Sequence, residues 1–181
     1  EANELGILVT TFAGMRQAVA ERETALKARA QQQAAVAELG QDALMGADLL
    51  TLMQEAVTLV VRTFAVEYCE VSELLHDDQT LVLRAGTGWR EGCVGQVTKG
   101  VGTASLAGYT LLRNEPVIVE DLHHETRFRI PPVLNDHGVV SCASVIMHWP
   151  CRPFGVLGAH STRRQSFSAD DVHFLQAIAN V

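Results

Sequence analysis

Apolar residues near the start of the chain fall at Leu5, Leu8, Phe12, Met15, Val19 and Leu26, a 3,4,3,4 spacing followed by a skip over Arg22. That spacing lays one apolar seam along a helix, the mark of a coiled coil. Residues 1–40 hold no Pro, and from Arg16 onward they are rich in Ala, Gln, Glu and Arg, all compatible with a helix. Beyond Leu26 the seam weakens: Arg29 and Gln33 stand where apolar residues are wanted, and Ala30, Ala34 and Ala37 offer a shifted seam. A phase slip of this kind locally alters a supercoil. A helix of roughly 40 residues exceeds most single-domain helices. The pattern therefore predicts a paired, parallel helix over residues 1–40, the alternative being an amphipathic helix packed on its own domain.

From residue 41 the pattern becomes mixed, and 41–181 reads as one α and β domain. Asp48 caps a helix through Phe64, with Leu49, Leu52, Met53, Ala56, Val57, Val60 and Val61 predicted to face inward. Residues 66–75 read as a strand, 76–79 as a turn and 80–85 as the return strand. A glycine-rich stretch follows from Gly86 to Gly102. Residues 105–113 read as a short helix, 116–120 as a strand and 131–137 as a loop or short helix. Residues 139–148 and 154–161 form a hairpin around Pro150-Cys151-Arg152-Pro153. Ser168, with Asp171 three residues on, opens a final helix in the manner of a capping box.

Apolar residues make up 48% of the 181-residue chain and charged residues 19%, enough for a buried core and against disorder. The net charge of −7 argues against a nucleic-acid partner, which wants a basic face. The four cysteines, Cys69, Cys93, Cys142 and Cys151, form no CxxC pair, so neither a zinc site nor a thioredoxin-like motif is supported. Cys69 and Cys142 fall in strands and read as small apolar residues; Cys151 falls in a hairpin turn and is expected to be exposed. No run of 18 apolar residues crosses a bilayer, and no secretory signal is present. Ser-His-Asp, P-loop and HExxH patterns are absent.

Two resemblances organise these observations. The opening Asn3-Glu4-Leu5-Gly6, with Leu8, Phe12 and Met15 on the seam, resembles the start of the second helix of a HAMP domain. It implies a parent anchored upstream of residue 1, so that this chain is the cytoplasmic portion of an inner-membrane protein. Four later segments resemble the GAF family: Gly100-Val101-Gly102-Thr103-Ala104 before a helix; Glu115-Pro116-Val117-Ile118-Val119-Glu120-Asp121-Leu122; Arg152-Pro153-Phe154-Gly155-Val156-Leu157-Gly158-Ala159-His160; and the helix entry from Phe167 through Leu175. The fold implied is α+β, a GAF-type three-layer sandwich with a central antiparallel sheet of five to six strands, preceded by the long coiled-coil helix. The partner implied is a second copy, giving a homodimer through the N-terminal and C-terminal helices.

Family pockets lie between one sheet face and the segments that cover it, here about residues 120–138. The ligand-binding candidates are therefore Glu120, Asp121, His124, Arg127, Phe128 and His137, above Cys142 and Ser144, which share one face of their strand. Arg127 could meet an anionic ligand or pair with Glu125 or Asp121. Trp89 and Trp149 flank loops and could cover a pocket or a core edge. No cofactor is assigned. Cyclic-nucleotide members carry an Asn-Lys pair where His160-Ser161 stands here. Bilin-binding members use a Cys-His dipeptide, which this chain lacks. Haem would need an axial ligand, and His137 is the conceivable one. The thiol-dependent methionine sulfoxide reductases of the family place a Cys near Gly102; here the earlier Cys93 is the nearest thiol. The reading is a non-enzymatic sensor module that relays a signal to an output domain, a histidine kinase or diguanylate cyclase; a ligand-free dimerising spacer is one alternative and a thiol-dependent small-molecule reductase the other.

Overall fold

The computed structural model describes the backbone of residues 2–181 and the side chains of Phe12 and residues 14–181. The Asn3–Leu8 part of the HAMP-like opening lies outside the described side chains. The chain divides into two compact units, Glu1–Ala35 and Val36–Val181. The first helix, α1 (Ala2–Leu44), supplies the described residues of the first unit. Within that unit Phe12, Met15, Val19 and Leu26 are all exposed, so the described part of the apolar seam finds no partner within its own unit.

In the second unit, Leu39 is buried in the domain core and Val36 packs against it. Helix α2 (Leu49–Phe64) starts where Asp48 accepts hydrogen bonds from the amides of Leu50 (3.1 Å) and Thr51 (3.3 Å). Its inward face is Met53, Ala56, Val57, Val60 and Phe64. Leu49 does not join them: it is exposed in the first turn, close in sequence to the exposed Leu44, Met45 and Leu50.

Six strands form one antiparallel sheet in the order β3-β2-β1-β6-β5-β4. They are β1 (Tyr68–Leu74), β2 (Thr80–Thr87), β3 (Thr98–Gly100), β4 (Val117–Val119), β5 (Ser141–His148) and β6 (Pro153–Ser161). Strand β3 lies inside the glycine-rich stretch that carries no sequence alternation; three residues are too few to show a period of two. In the β1–β2 pairing Val71 faces Ala85 and Ser72 faces Leu83, so Arg84 is the extra residue of a bulge.

One sheet face is apolar. Cys69, Val71, Ala85, Ala143, Val145, Leu157 and Ala159 pack under α2 and the closing helix α5 (Ala169–Ala179), which adds Phe174, Leu175 and Ile178. Ser168 and Asp171 close a complete capping box at the start of α5. The opposite face is covered by α3 (Leu106–Arg113), by α4 (Pro132–Asp136) and by the chain around Leu122 and Phe128. This is the three-layer sandwich that the GAF resemblance implied.

Removing the α2 cap with Asp48→Ala is expected to cost about 1 kcal/mol. Leu157→Ala, at a fully buried position in the apolar layer, is expected to cost about 3 kcal/mol. Urea denaturation measures both, and an unshifted midpoint for Leu157→Ala would contradict the layer assignment.

Candidate functional site

The second sheet face carries a row of buried polar groups. Strand alternation places Tyr68, Glu70 and Ser72 of β1 on it, with His160, Gly158 and Val156 of β6 opposite them. The next strand adds Cys142, Ser144 and Ile146 of β5. Lys99 of β3, paired across from Leu81, reaches the same face from the sheet edge. Glu70, Ser72, Lys99 and His160 are all buried.

Glu70 sits at the centre. Its carboxylate forms an ion pair with Lys99, both side chains being less than 5% exposed. Lys99 Nζ also donates to Ser72 Oγ at 3.3 Å. His160 Nε2 stands 3.5 Å from Glu70 Oε1, close enough for electrostatic help but too far for a well-formed hydrogen bond. Burial by itself would raise the Glu70 carboxyl. The Lys99 ammonium, followed by His160, outweighs burial and holds it down at about 2. Three buried polar atoms of this row remain without a hydrogen-bond partner: Glu70 Oε2 and both ring nitrogens of His160.

Two glycines make the row possible. Glu70 faces Gly86 on one side and Gly158 on the other. A Cβ at Gly86 would lie 2.6 Å from the Trp89 ring, and one at Gly158 would lie 2.9 Å from His160 Nε2. The two bare positions let the indole and the imidazole fold down onto the sheet beside Glu70. Trp89 donates from Nε1 to the Cys69 carbonyl (2.9 Å), stacks on Tyr68 at 4.9 Å and meets His160 and His137 edge-on at 5.4 and 5.0 Å.

The residues singled out from the sequence are distributed differently. Segment 120–138 does cover this sheet face, but through Leu122, Phe128 and Leu134, which pack on Val117, Val119 and Cys142. Glu120 and His124 are exposed. Asp121 caps a short 3₁₀ turn, accepting from the His123 amide at 3.0 Å and lying 3.1 Å from the rings of His123 and His124; these contacts lower its pKa, that amide bond foremost. Arg127 is held by Glu125 (2.6 Å) and donates to the Ile118 carbonyl (2.9 Å), with its guanidinium over the Tyr109 ring. Of the two pairings open to Arg127, Glu125 is the one formed.

His137 is buried beside Trp89. Its Nδ1 donates to the Val133 carbonyl (2.7 Å) and its Nε2 accepts from the Arg90 amide (3.1 Å). Both nitrogens are engaged, which leaves neither for a haem iron. Cys142 and Ser144 lie on the site face, and Ser144 meets Thr110 of α3 through their hydroxyls. Burial, and then the negative charges of Glu125 and Glu70, push the Cys142 thiol well up; burial and Glu70 do the same at Cys69. Neither is a ready thiolate. Cys93 is half-buried and Cys151 exposed. Among the described residues no group of three or more His, Cys, Asp or Glu could hold a metal ion.

Sequence reasoning passed over Glu70, Ser72 and Lys99. Glu70 and Ser72 alternate with Cys69 and Val71, which reads as a solvated strand face; only α3 and the Trp89 loop make that face interior.

The depressed Glu70 pKa carries a pH signature. The folded state holds the proton less tightly than the unfolded chain, so the contribution is complete above the unfolded value and is lost as pH falls from there toward about 2. The stability advantage of the wild-type protein over Glu70→Gln is expected to shrink as pH is lowered from 7 to 3 in urea titrations. Lys99→Met at pH 7 leaves a buried unpaired carboxylate and is expected to cost about 3–5 kcal/mol. The double variant Lys99→Met/Glu70→Met should recover most of that loss.

A search of curated proteins returns no match. The GAF domain of an Acinetobacter phosphoenolpyruvate-protein phosphotransferase superposes with a TM-score of 0.71 at 22% identity, covering 83% of this chain and 89% of that one. The GAF domain of the corresponding Coxiella burnetii protein gives 0.73 at 16% identity over 82% and 88%. The Neisseria meningitidis free methionine-R-sulfoxide reductase, solved with its substrate, gives 0.68 at 17% identity over 84% and 86%. These likenesses establish the fold. The GAF domain family model matches residues 48–181, the whole stretch from the cap of α2 to the end of α5, and the chain belongs to the GAF domain family.

Proposed function

We propose that this chain is a regulatory sensor module: a GAF domain that takes a small ligand on the Glu70 face and relays its state through paired helices to an output domain. The observation that carries the reading is the buried row Lys99–Glu70–His160, whose Glu70 Oε2 and imidazole nitrogens are unpartnered inside the fold. Buried polar atoms are ordinarily satisfied, and exceptions concentrate where a protein binds or reacts. The sequence resemblance supplies the wider setting, a membrane-anchored receptor with a histidine kinase or diguanylate cyclase as output. No helix among the described residues is long and apolar enough to cross a membrane.

Relay requires a second copy. Phe12, Met15, Val19 and Leu26 expose large apolar side chains at heptad spacing, and such a seam is stable in water when another helix covers it. Beyond Leu26 the exposed positions Ala30 and Ala34 continue on a shifted phase, which makes the slip a candidate two-state element. One observation favours the spacer alternative: Trp89, Leu122, Phe128 and Leu134 already pack over the sheet face.

Light scattering after size exclusion tests the relay. The 181-residue chain is expected to elute as a dimer at micromolar concentration, and Val19→Glu/Leu26→Glu as a monomer with an unchanged circular-dichroism melt of the domain. A monomeric wild-type chain would remove the paired-helix mechanism. Native mass spectrometry of the same sample reports any retained small molecule.

A further inference from the structure

We propose that the Glu70–His160 row selects a small, planar, electrically neutral ligand carrying an N–H donor beside a carbonyl acceptor, a carboxamide or lactam edge, and that Trp89 is the gate such a ligand displaces. This rests on the sensor reading above and names the chemistry of its site.

The selection follows from what the buried groups still lack. Lys99 and Glu70 cancel each other's charge, and each is nearly inaccessible to water. An anionic ligand would set a second negative charge against Glu70 Oε2. A cationic one would leave the row with an uncompensated positive charge. Both carry the cost of burying an unbalanced ion. A neutral ligand avoids it. Glu70 Oε2 needs a donor. A neutral imidazole offers one donor and one acceptor, and both His160 nitrogens are open. Ser72 Oγ accepts from Lys99 and keeps its own proton for an acceptor. A donor and an acceptor side by side on one ligand edge match this set: the ligand N–H donates to Glu70, and the ligand C=O accepts from His160 or Ser72.

The shape follows from what occupies the slot. The indole of Trp89 lies between Tyr68, His137 and His160 and rests on the bare floor at Gly86. A flat ring can replace it there and keep the stacking on Tyr68. The gate has a way out. Trp89 stands between exposed Gly88 and Arg90, and few polar contacts hold it: its own bond to the Cys69 carbonyl, and the Arg90 bonds to His137 Nε2 (3.1 Å) and to the Asp136 carbonyl (2.8 Å). Gly88 and Gly92 both adopt positive φ, which suits a loop that must turn sharply on either side of the indole.

Three isosteric probes separate the possibilities: benzamide (neutral), benzoate (anion) and benzamidinium (cation). In a Trp149→Phe background Trp89 is the single tryptophan, and its fluorescence reports the gate. Benzamide is expected to red-shift Trp89 emission saturably, with half-saturation in the millimolar range usual for so small a ligand. Both charged probes are expected to bind at least about tenfold more weakly, reflecting the cost of the unbalanced ion. His160→Phe removes both unpaired nitrogens for an apolar ring; it is expected to keep or raise the melting temperature and to abolish the benzamide response. If benzoate or benzamidinium binds as well as benzamide, with a response that His160→Phe removes, the ligand class is overturned while the sensor site stands. If no probe moves Trp89 and His160→Phe merely stabilises, the site reading falls with it and the spacer remains.

Discussion

Everything on the covered sheet face is arranged around one buried carboxylate. Ionised Glu70 can sit at the middle of a sheet, away from water, chiefly because Lys99 reaches it from the edge strand, with His160 beside it. That explains why a three-residue strand as short as β3 matters: it brings a counter-ion to the site at the least length of chain. The pair also dictates its surroundings. A buried ion pair gains from its Coulomb attraction only if the remaining hydrogen-bonding capacity is met. Ser72 meets part of it, and His160 stands close to Glu70 without satisfying it. The row is thus balanced in charge and incomplete in hydrogen bonds, and the proposed ligand site rests on that incompleteness.

The two faces of the sheet divide the work of the domain. Beneath α2 and α5 the layer is aliphatic and aromatic, with Phe64 packed edge-on against Phe167 and Phe174. It supplies the stability against which the buried, incompletely bonded polar groups of the opposite face are held. The opposite face is itself split. At the β4–β5 end Leu122, Phe128 and Leu134 form an apolar cap. At the β1–β6 centre the cover is Trp89, an aromatic ring on a glycine-rich loop, held by few hydrogen bonds. Rigid support on one side and a light cover on the other is the combination that lets a loop move without disturbing the core.

The same logic places the first candidates from the sequence. Glu120, Asp121, His124 and Arg127 are candidates because they fall on the segment that crosses the face. They do lie on it, but that segment turns its apolar residues inward. Asp121 serves its own turn and Arg127 serves Glu125. On that covering segment Glu120, His124 and Arg127 reach water, while His137 turns in and bonds to backbone groups. A polar group on the sheet beneath cannot reach water, and that is why the chemistry collects on Glu70, Ser72 and His160.

The sequence by itself determined the order of elements apart from β3, the caps at Asp48 and Ser168, most of the inward face of α2 and the family, because each rests on local periodicity or on contiguous segments such as Gly155-Val156-Leu157-Gly158. It also carried the heptad seam of α1. It could not reveal which face of β1 was interior: Tyr68, Glu70, Ser72 and Leu74 alternate as a half-solvated strand would. Only tertiary structure brings Lys99, 29 residues away along the chain, and His160, 90 residues away, to the same carboxylate. Strand pairing sets that register, and side-chain burial across it is a property of neighbours in space, which no period along the chain records.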